Sequence, residues 1–165
     1  MAAYCYDSGD YRAFVWDNGT ITELGHLVGG TSSKAYDIND SGQVVGYTTW
    51  GGGGGGFLWE NGAMTDLGMK PNAMNNVGQI VGFRDSSSTL WENGVVYELD
   101  DFVDESADGW SIGDGDDIND LGWIVGFGYN PSGTKQAFLL TPIPEPGTLS
   151  LLAFGALAVL RRRRR

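Results

Sequence analysis

Cysteine and histidine occur once each in these 165 residues. A lone Cys5 excludes an internal disulfide framework and a Cys-based zinc knuckle. A lone His26 leaves little room for a His-rich metal site. Basic side chains are also scarce. Arg12, Lys34, Lys70, Arg84 and Lys135 face twenty acidic residues before Pro144. Phosphate affinity comes mostly from clustered Lys and Arg, so this balance excludes nucleic acid as a partner. No stretch before Leu149 shows an apolar period of 3.6, so amphipathic helices are not expected there. Aromatics at 12% argue against global disorder. Glycine is the residue in excess: 27 positions, roughly double the usual share of about 7%. The length suits one domain able to bury a core.

The chain repeats itself. Phe14-Val15-Trp16-Asp17-Asn18-Gly19 returns as Phe57-Leu58-Trp59-Glu60-Asn61-Gly62 and as Leu90-Trp91-Glu92-Asn93-Gly94. Each runs on to an acid-Leu pair: Glu23-Leu24, Asp66-Leu67 and Glu98-Leu99. A second cassette, Asp37-Ile38-Asn39-Asp40-Ser41-Gly42-Gln43-Val44-Val45-Gly46, recurs at 73–82 and 117–126 around Asn75 and Asn119. The Trp anchors lie 43 and 32 residues apart, the Asn anchors 36 and 44. A mean near 40 with variable insertions is the period of four-stranded propeller blades.

The apolar runs are short, β-branched or aromatic, and bounded by turn residues, which predicts strands. Asn18-Gly19, Asn61-Gly62 and Asn93-Gly94 are type I′ hairpin signals, because both central residues need positive φ. Asn-x-x-Gly in the second cassette reads as a longer hairpin turn. Gly46, Gly82 and Gly126 mark β-bulges or close backbone approach. The hexaglycine Gly51 to Gly56 lacks the Lys-Ser or Lys-Thr of a P-loop and reads as a slack loop between units. The expected fold is all-β: four-stranded antiparallel units at about 12–48, 55–84 and 88–128, then a partial fourth at 136–141. Gln136 to Leu140 is expected to pair with the N-terminal strand. The arrangement is propeller-like, though three units fall short of the usual four to eight blades.

This wording resembles the HAF-repeat family of bacterial extracellular proteins. The likeness is closest at Phe14-Val15-Trp16, Glu23 to Gly30 and Ala35 to Tyr47, and covers roughly Tyr11 to Leu140. It implies a propeller-like β-fold for a body spanning 1–141 and brings no catalytic residues.

The tail has another character. Pro144-Glu145-Pro146-Gly147 precedes an apolar stretch, Thr148 to Leu160, and then Arg161, Arg162, Arg163, Arg164 and Arg165. As a helix the apolar stretch reaches about 20 Å, short of the ~20 residues that span a bilayer core. Snorkelling arginines and a thinned bilayer narrow the gap. The positive-inside rule leaves the arginines cytoplasmic and the acidic body outside. This order over 142–165 resembles the PEP-CTERM sorting signal of Gram-negative bacteria, read by exosortase. The resemblance implies that Pro144, Glu145 and Pro146 are the recognition motif and that the tail, a short hydrophobic helix, is removed. Export needs a leader, yet Met1 to Asp10 has no basic or apolar signal region. Tyr4 to Tyr11 instead reads as the end of a Val-Val-Gly strand, so the chain is expected to be N-terminally truncated.

Asp37-x-Asn39-x-Ser41-Gly42 imitates a calcium loop, but its twelfth position is Thr48 rather than Glu, and a hairpin explains all three copies. The acidic run Asp100, Asp101, Asp104, Glu105, Asp108, Asp114, Asp116 and Asp117 is a better Ca2+ candidate, against the commoner reading of a solvated loop. Trp16, Trp59 and Trp91, one per repeat, are expected in the core. Trp50, Trp110 and Trp123 are the better candidates for exposed contact. No triad, metal-ligand set or nucleotide loop is present. The expected role is therefore a non-enzymatic exported surface or matrix protein. A secreted carbohydrate-active hydrolase is the alternative, since two correctly spaced carboxylates suffice for one. Any ligand site is placed on the loop Asp100 to Gly115. There Trp110 would stack on polysaccharide, and Asp114, Asp116 and Asp117 would hold a cation or hydroxyls.

Overall fold

The computed structural model describes residues 1–7, 9–103 and 109–142. The sorting motif from Pro144 on, the expected C-terminal helix and Asp104, Glu105 and Asp108 lie outside the described residues. Within them the chain folds into four antiparallel meanders. The first holds β1 (Ala2–Asp7), β2 (Asp10–Asp17) and β3 (Thr20–Glu23); the second holds β4 (Ser32–Ile38), β5 (Val44–Trp50), β6 (Gly53–Glu60) and β7 (Ala63–Asp66). The third holds β8 (Lys70–Met74), β9 (Ile80–Arg84), β10 (Ser87–Glu92) and β11 (Val95–Glu98); the fourth holds β12 (Ser111–Ile118), β13 (Ile124–Tyr129) and β14 (Lys135–Leu140). One 3-10 turn, Leu99–Phe102, is the only helical element among the described residues.

A complete sheet runs Asn strand, Val-Val-Gly strand, Trp strand, acid-Leu strand. Among the described residues the first sheet has no Asn strand and the fourth no acid-Leu strand. Hairpin chemistry follows the turn residues. Asn18, Asn61 and Asn93 have φ of 46°, 51° and 51°, each followed by a left-handed glycine, as type I′ turns require. At Gly46, Gly82 and Gly126 both expectations meet. Each sits opposite a register shift, where Tyr36, Asn72 and Asp116 are the extra residues of the neighbouring strand. A Cβ at these glycines would run into the carbonyl oxygens of Lys34, Lys70 and Asp114 respectively.

Two expectations need correction. Gly53 to Gly56 form the first half of β6, paired with β5 from Trp50↔Gly53 to Tyr47↔Gly56. Only Gly51 and Gly52 turn the chain. Glycine is needed inside this strand because a Cβ on Gly56 would strike the Met69 carbonyl, and one on Gly54 the Tyr47 ring. Gln136 to Leu140 pairs with β13, from Tyr129↔Lys135 to Ile124↔Leu140, rather than with the N-terminal strand. The reason is local: Asn130 to Thr134 forms a tight turn joining the two, with Asn130 Oδ1 accepting from the Ser132 and Thr134 amides at 3.0 and 2.9 Å.

The sheets stack in chain order. β4 lies on β1 and β2, β8 on β4, β5 and β6, and β12 on β8, β9 and β10. Among the described residues the four sheets stay separate and no closed barrel forms. Three cores fill the gaps. Ala13, Leu24, Ala35, Val44 and Phe57 lie between the first and second sheets, and Val45, Leu67, Met69, Met74 and Ile80 between the second and third. Ala73, Val81, Leu99, Ile112, Ile118 and Ile124 lie between the third and fourth. Leu24, Leu67 and Leu99, the leucines of the acid-Leu pairs, each plug one gap. Burying one such side chain contributes about 1.5–3 kcal/mol.

The three anchor tryptophans hold one ladder position, opposite Ile21, Met64 and Val96. Trp59 and Trp91 are half-buried against the preceding core, whereas Trp16 is exposed. Trp50 and Trp123 are exposed as expected, and Trp110 is half-buried.

Candidate functional site: an apolar cleft between the third and fourth sheets

The position that carries Trp59 in β6 and Trp91 in β10 carries Leu140 in β14. All three face the first residue of the neighbouring strand: Val44, Ile80 and Ile124. In the second and third sheets a fourth strand then lays Met64 or Val96 beside the tryptophan. Beside β14 no such strand is found among the described residues. A smaller side chain and a missing neighbour leave a cleft of about 680 Å³. Leu90, Leu99, Phe102, Ile118, Leu121 and Leu140 form its apolar lining. Phe102 and Val103 bring it to the edge of the loop that begins at Asp100.

Its polar rim is already hydrogen-bonded. The Asp120 carboxylate accepts from the Asn76 amide at 2.8 Å and from Asn76 Nδ2 at 3.1 Å. Gln79 Nε2 donates to Glu92 Oε1 at 2.9 Å, and Gln79 Oε1 accepts from Asn75 Nδ2 at 2.7 Å. Asp120 is the one carboxylate in the lining. The cleft can therefore take an apolar face and offer acceptors at its rim.

The expected site residues stand elsewhere. Trp110 precedes β12 and does not line the cleft; neither do Asp114, Asp116 and Asp117. Asp114 Oδ1 accepts from Asn72 Nδ2 at 2.9 Å. Burial raises its pKa above the usual 3.8, the charge of Asp116 adds to this, and Asn72 and Lys70 oppose it. Asp116 is the exposed bulge residue, and Asp117 Oδ1 accepts from the Ile118 amide at 2.8 Å. Asp100 Oδ1 accepts from the Ile112 amide at 3.0 Å. Asp100 and Asp117 thus serve the backbone, and Asp114 holds a side-chain amide of the third sheet. Among the described residues no group of three or more His, Cys, Asp or Glu side chains is placed to hold a metal ion. Cys5 is exposed on β1, and the exposed His26 meets the Leu27 carbonyl through Nδ1, at 3.1 Å.

The Asn39 turn, which imitates a calcium loop, uses its side chain on its own backbone. Asn39 Oδ1 accepts from the Ser41 and Gln43 amides, both at 3.1 Å. Sequence reasoning missed the cleft. Its one signal was Phe138-Leu139-Leu140, where the repeat otherwise ends in Trp, as in Phe14-Val15-Trp16, Phe57-Leu58-Trp59 and Leu90-Trp91.

Comparison with known proteins locates the second functional element. The PEP-CTERM protein-sorting motif matches residues 142–165. No curated protein and no solved structure matches the chain. The motif implies an exported protein that is sorted and processed by an exosortase in Gram-negative bacteria. No helix among the described residues is long and apolar enough to cross a membrane.

Proposed function

We propose that this chain is a non-enzymatic protein of the cell surface or extracellular matrix, delivered by its tail and working through its β-repeat body. The observation that carries this reading is the PEP-CTERM match at 142–165 behind an acidic body of repeated sheets. Pro144-Glu145-Pro146 is the segment exosortase reads. Thr148 to Leu160 anchors the chain transiently in the inner membrane, with Arg161 to Arg165 on the cytoplasmic side. The body is an arc of HAF-like, propeller-type blades. In support, each sheet is a meander whose first strand packs on the sheet before it.

Extracellular polysaccharide is the proposed ligand. The cleft has a volume within the ~300–1,000 Å³ usual for ligand pockets and an apolar lining suited to the C–H face of a sugar. Trp110, half-buried just before β12, is proposed as a stacking face, with Asp114, Asp116 and Asp117 of that strand as hydroxyl or Ca2+ ligands. Replacing Pro144, Glu145 and Pro146 by alanine tests the delivery half. In a host carrying exosortase, unprocessed protein should accumulate in the membrane fraction. Unchanged processing and unchanged surface delivery would refute the reading.

A further inference from the structure

The β5–β6 hairpin reaches further than its counterpart in the next sheet. With Trp59 and Trp91 aligned, β9 and β10 end at Arg84↔Ser87, level with Thr48↔Gly55. Strands β5 and β6 add Thr49↔Gly54 and Trp50↔Gly53 beyond that level. The added length carries a tryptophan laid on glycine. A Cβ on Gly53 would stand 3.2 Å from Trp50 Nε1, and one on Gly55 would stand 3.2 Å from Cη2 and 3.6 Å from Cζ3. The two ends of the indole therefore rest on two glycines of one strand, and the ring lies flat along the main chain. A side chain at either glycine would wedge it off. Trp50 is 37% exposed, so the opposite face of the ring meets solvent. Hairpin closure does not require this ring, because the shorter β9–β10 hairpin turns through Asp85 and Ser86 without an aromatic.

The platform has a fixed wall. Leu27 Cδ1 stands 3.2 Å from the same Cβ point on Gly55, beside the six-membered end of the indole. Its connector, residues 24–31, is tied to β5. The Leu27 amide donates to Thr48 Oγ1 at 3.3 Å, and the Thr31 amide and hydroxyl both donate to the Thr49 carbonyl, at 2.8 and 3.3 Å. His26, exposed on this connector, donates Nδ1–H to the Leu27 carbonyl, which leaves Nε2 of the neutral ring as an acceptor. Such a preformed surface binds with little further ordering. It also faces away from the sorting tail. Strand β14 runs toward the Asn turns, where Leu140 pairs with Ile124 and Pro142 lies against Gly122, whereas Trp50 stands at the other end of the sheets.

We propose that the Trp50 face is a second saccharide site, taking a hexose ring of a neutral, β-1,4-linked glycan. A pyranose with equatorial hydroxyls presents only C–H bonds on its face. These stack on an indole while the hydroxyls at the ring edge bond outward. Acidic glycans are disfavoured by a body with five basic side chains against twenty acidic ones. The inference takes its ligand class from the polysaccharide reading but not its place, since Trp50 does not line the cleft.

Cellohexaose, a neutral β-1,4-linked glucose hexamer, is the probe, titrated by NMR into the isotope-labelled full chain in mild non-ionic detergent. The sugar resonances report affinity, and the indole N–H signal missing from Trp50→Phe reports place. Wild type should bind with a Kd of about 1 mM, the strength of a single weak site, and that indole signal should shift. Trp50→Ala should weaken binding by about tenfold or more. Gly53→Ala keeps the indole but lifts it from its floor, and should weaken binding roughly threefold with no fall in thermal midpoint. Leu140→Trp, which fills the cleft, should leave the affinity unchanged. Far-UV circular dichroism checks that Trp50→Ala folds, and Gly53→Ala carries the test if it does not. A wild type that ignores cellohexaose overturns the inference and leaves the cleft reading standing. Binding unchanged by Trp50→Ala or Gly53→Ala overturns it too, and loss in Leu140→Trp alone assigns the sugar to the cleft instead.

Discussion

The side-chain amide of Asn39 donates to the backbone oxygen of Asn75, 36 residues on, at 3.3 Å, and Asn75 repeats this toward Asn119 at 3.0 Å. Beside each rung a main-chain amide reaches the next turn: Asp40 to Asn76 Oδ1 and Asn76 to Asp120 Oδ1, both at 2.8 Å. The asparagines close their own hairpins through Oδ1 and clamp the next through Nδ2. One residue type therefore sets both the turn and the stacking of sheets.

Asn75→Ala should cost about 2–3 kcal/mol. Asn75 is 3% exposed; its loss takes the acceptor of the Gln79 amide and the Asn75 Nδ2 donor of Gln79 Oε1, and leaves the Asn119 carbonyl with the Gly122 amide but without its bond across the gap. Asn119→Ala, on an exposed turn with no following rung among the described residues, should cost about 1 kcal/mol. Urea titrations of the two variants compare them directly. Equal losses would deny the ladder its role.

Gly46→Ala should destabilise by about 2–3 kcal/mol, because the added methyl meets both the Lys34 carbonyl and the Phe57 ring and neither can retreat. Gly53→Ala, at the exposed start of β6, meets only Trp50 Nε1 at 3.2 Å. That side chain is itself exposed and can turn away, so the change should be neutral or stabilise by about 0.5 kcal/mol through a less flexible unfolded chain. Thermal unfolding of both variants reads the contrast.

Much of this was legible locally. Asn-Gly pairs marked three hairpins, and a glycine between a Val-Val or Ile-Val pair and an aromatic marked three bulges. The hexaglycine misled because slackness is only its local meaning. What confines Gly54 and Gly56 is a Tyr47 ring and a Met69 carbonyl brought in by other strands. The cleft was hidden for the same reason. Leu140 reads as one more strand residue until Trp59 and Trp91 are seen filling the equivalent volume. Trp110 and the carboxylates after it drew notice by type, yet Asp100 and Asp117 are spent on backbone amides.

Stability should carry the signature of Asp114. Its pKa is raised by burial and by Asp116, so the folded state holds this proton more tightly than the unfolded chain does. The contribution is present below the unfolded value near 3.8 and is lost as pH rises through the raised folded value. Asp114→Asn keeps an oxygen for Asn72 Nδ2 and removes the titration. The variant should gain over wild type at pH 7 and lose that gain near pH 3. A constant difference across this range would assign the effect to packing.

Leu140→Trp should fill the cleft as Trp59 and Trp91 fill theirs. Fluorescence of a hydrophobic dye bound to the protein should fall, and the thermal midpoint should rise. Dye binding that is unchanged would place the apolar surface elsewhere.

The claim that this is an exported, exosortase-sorted surface protein is tested most directly by the intact mass of the protein recovered from the surface of an exosortase-bearing host. The account predicts a species lacking Arg161 to Arg165 and the apolar stretch before them, with the full tail retained when exosortase is deleted. Surface protein of full-length mass in both hosts would contradict it.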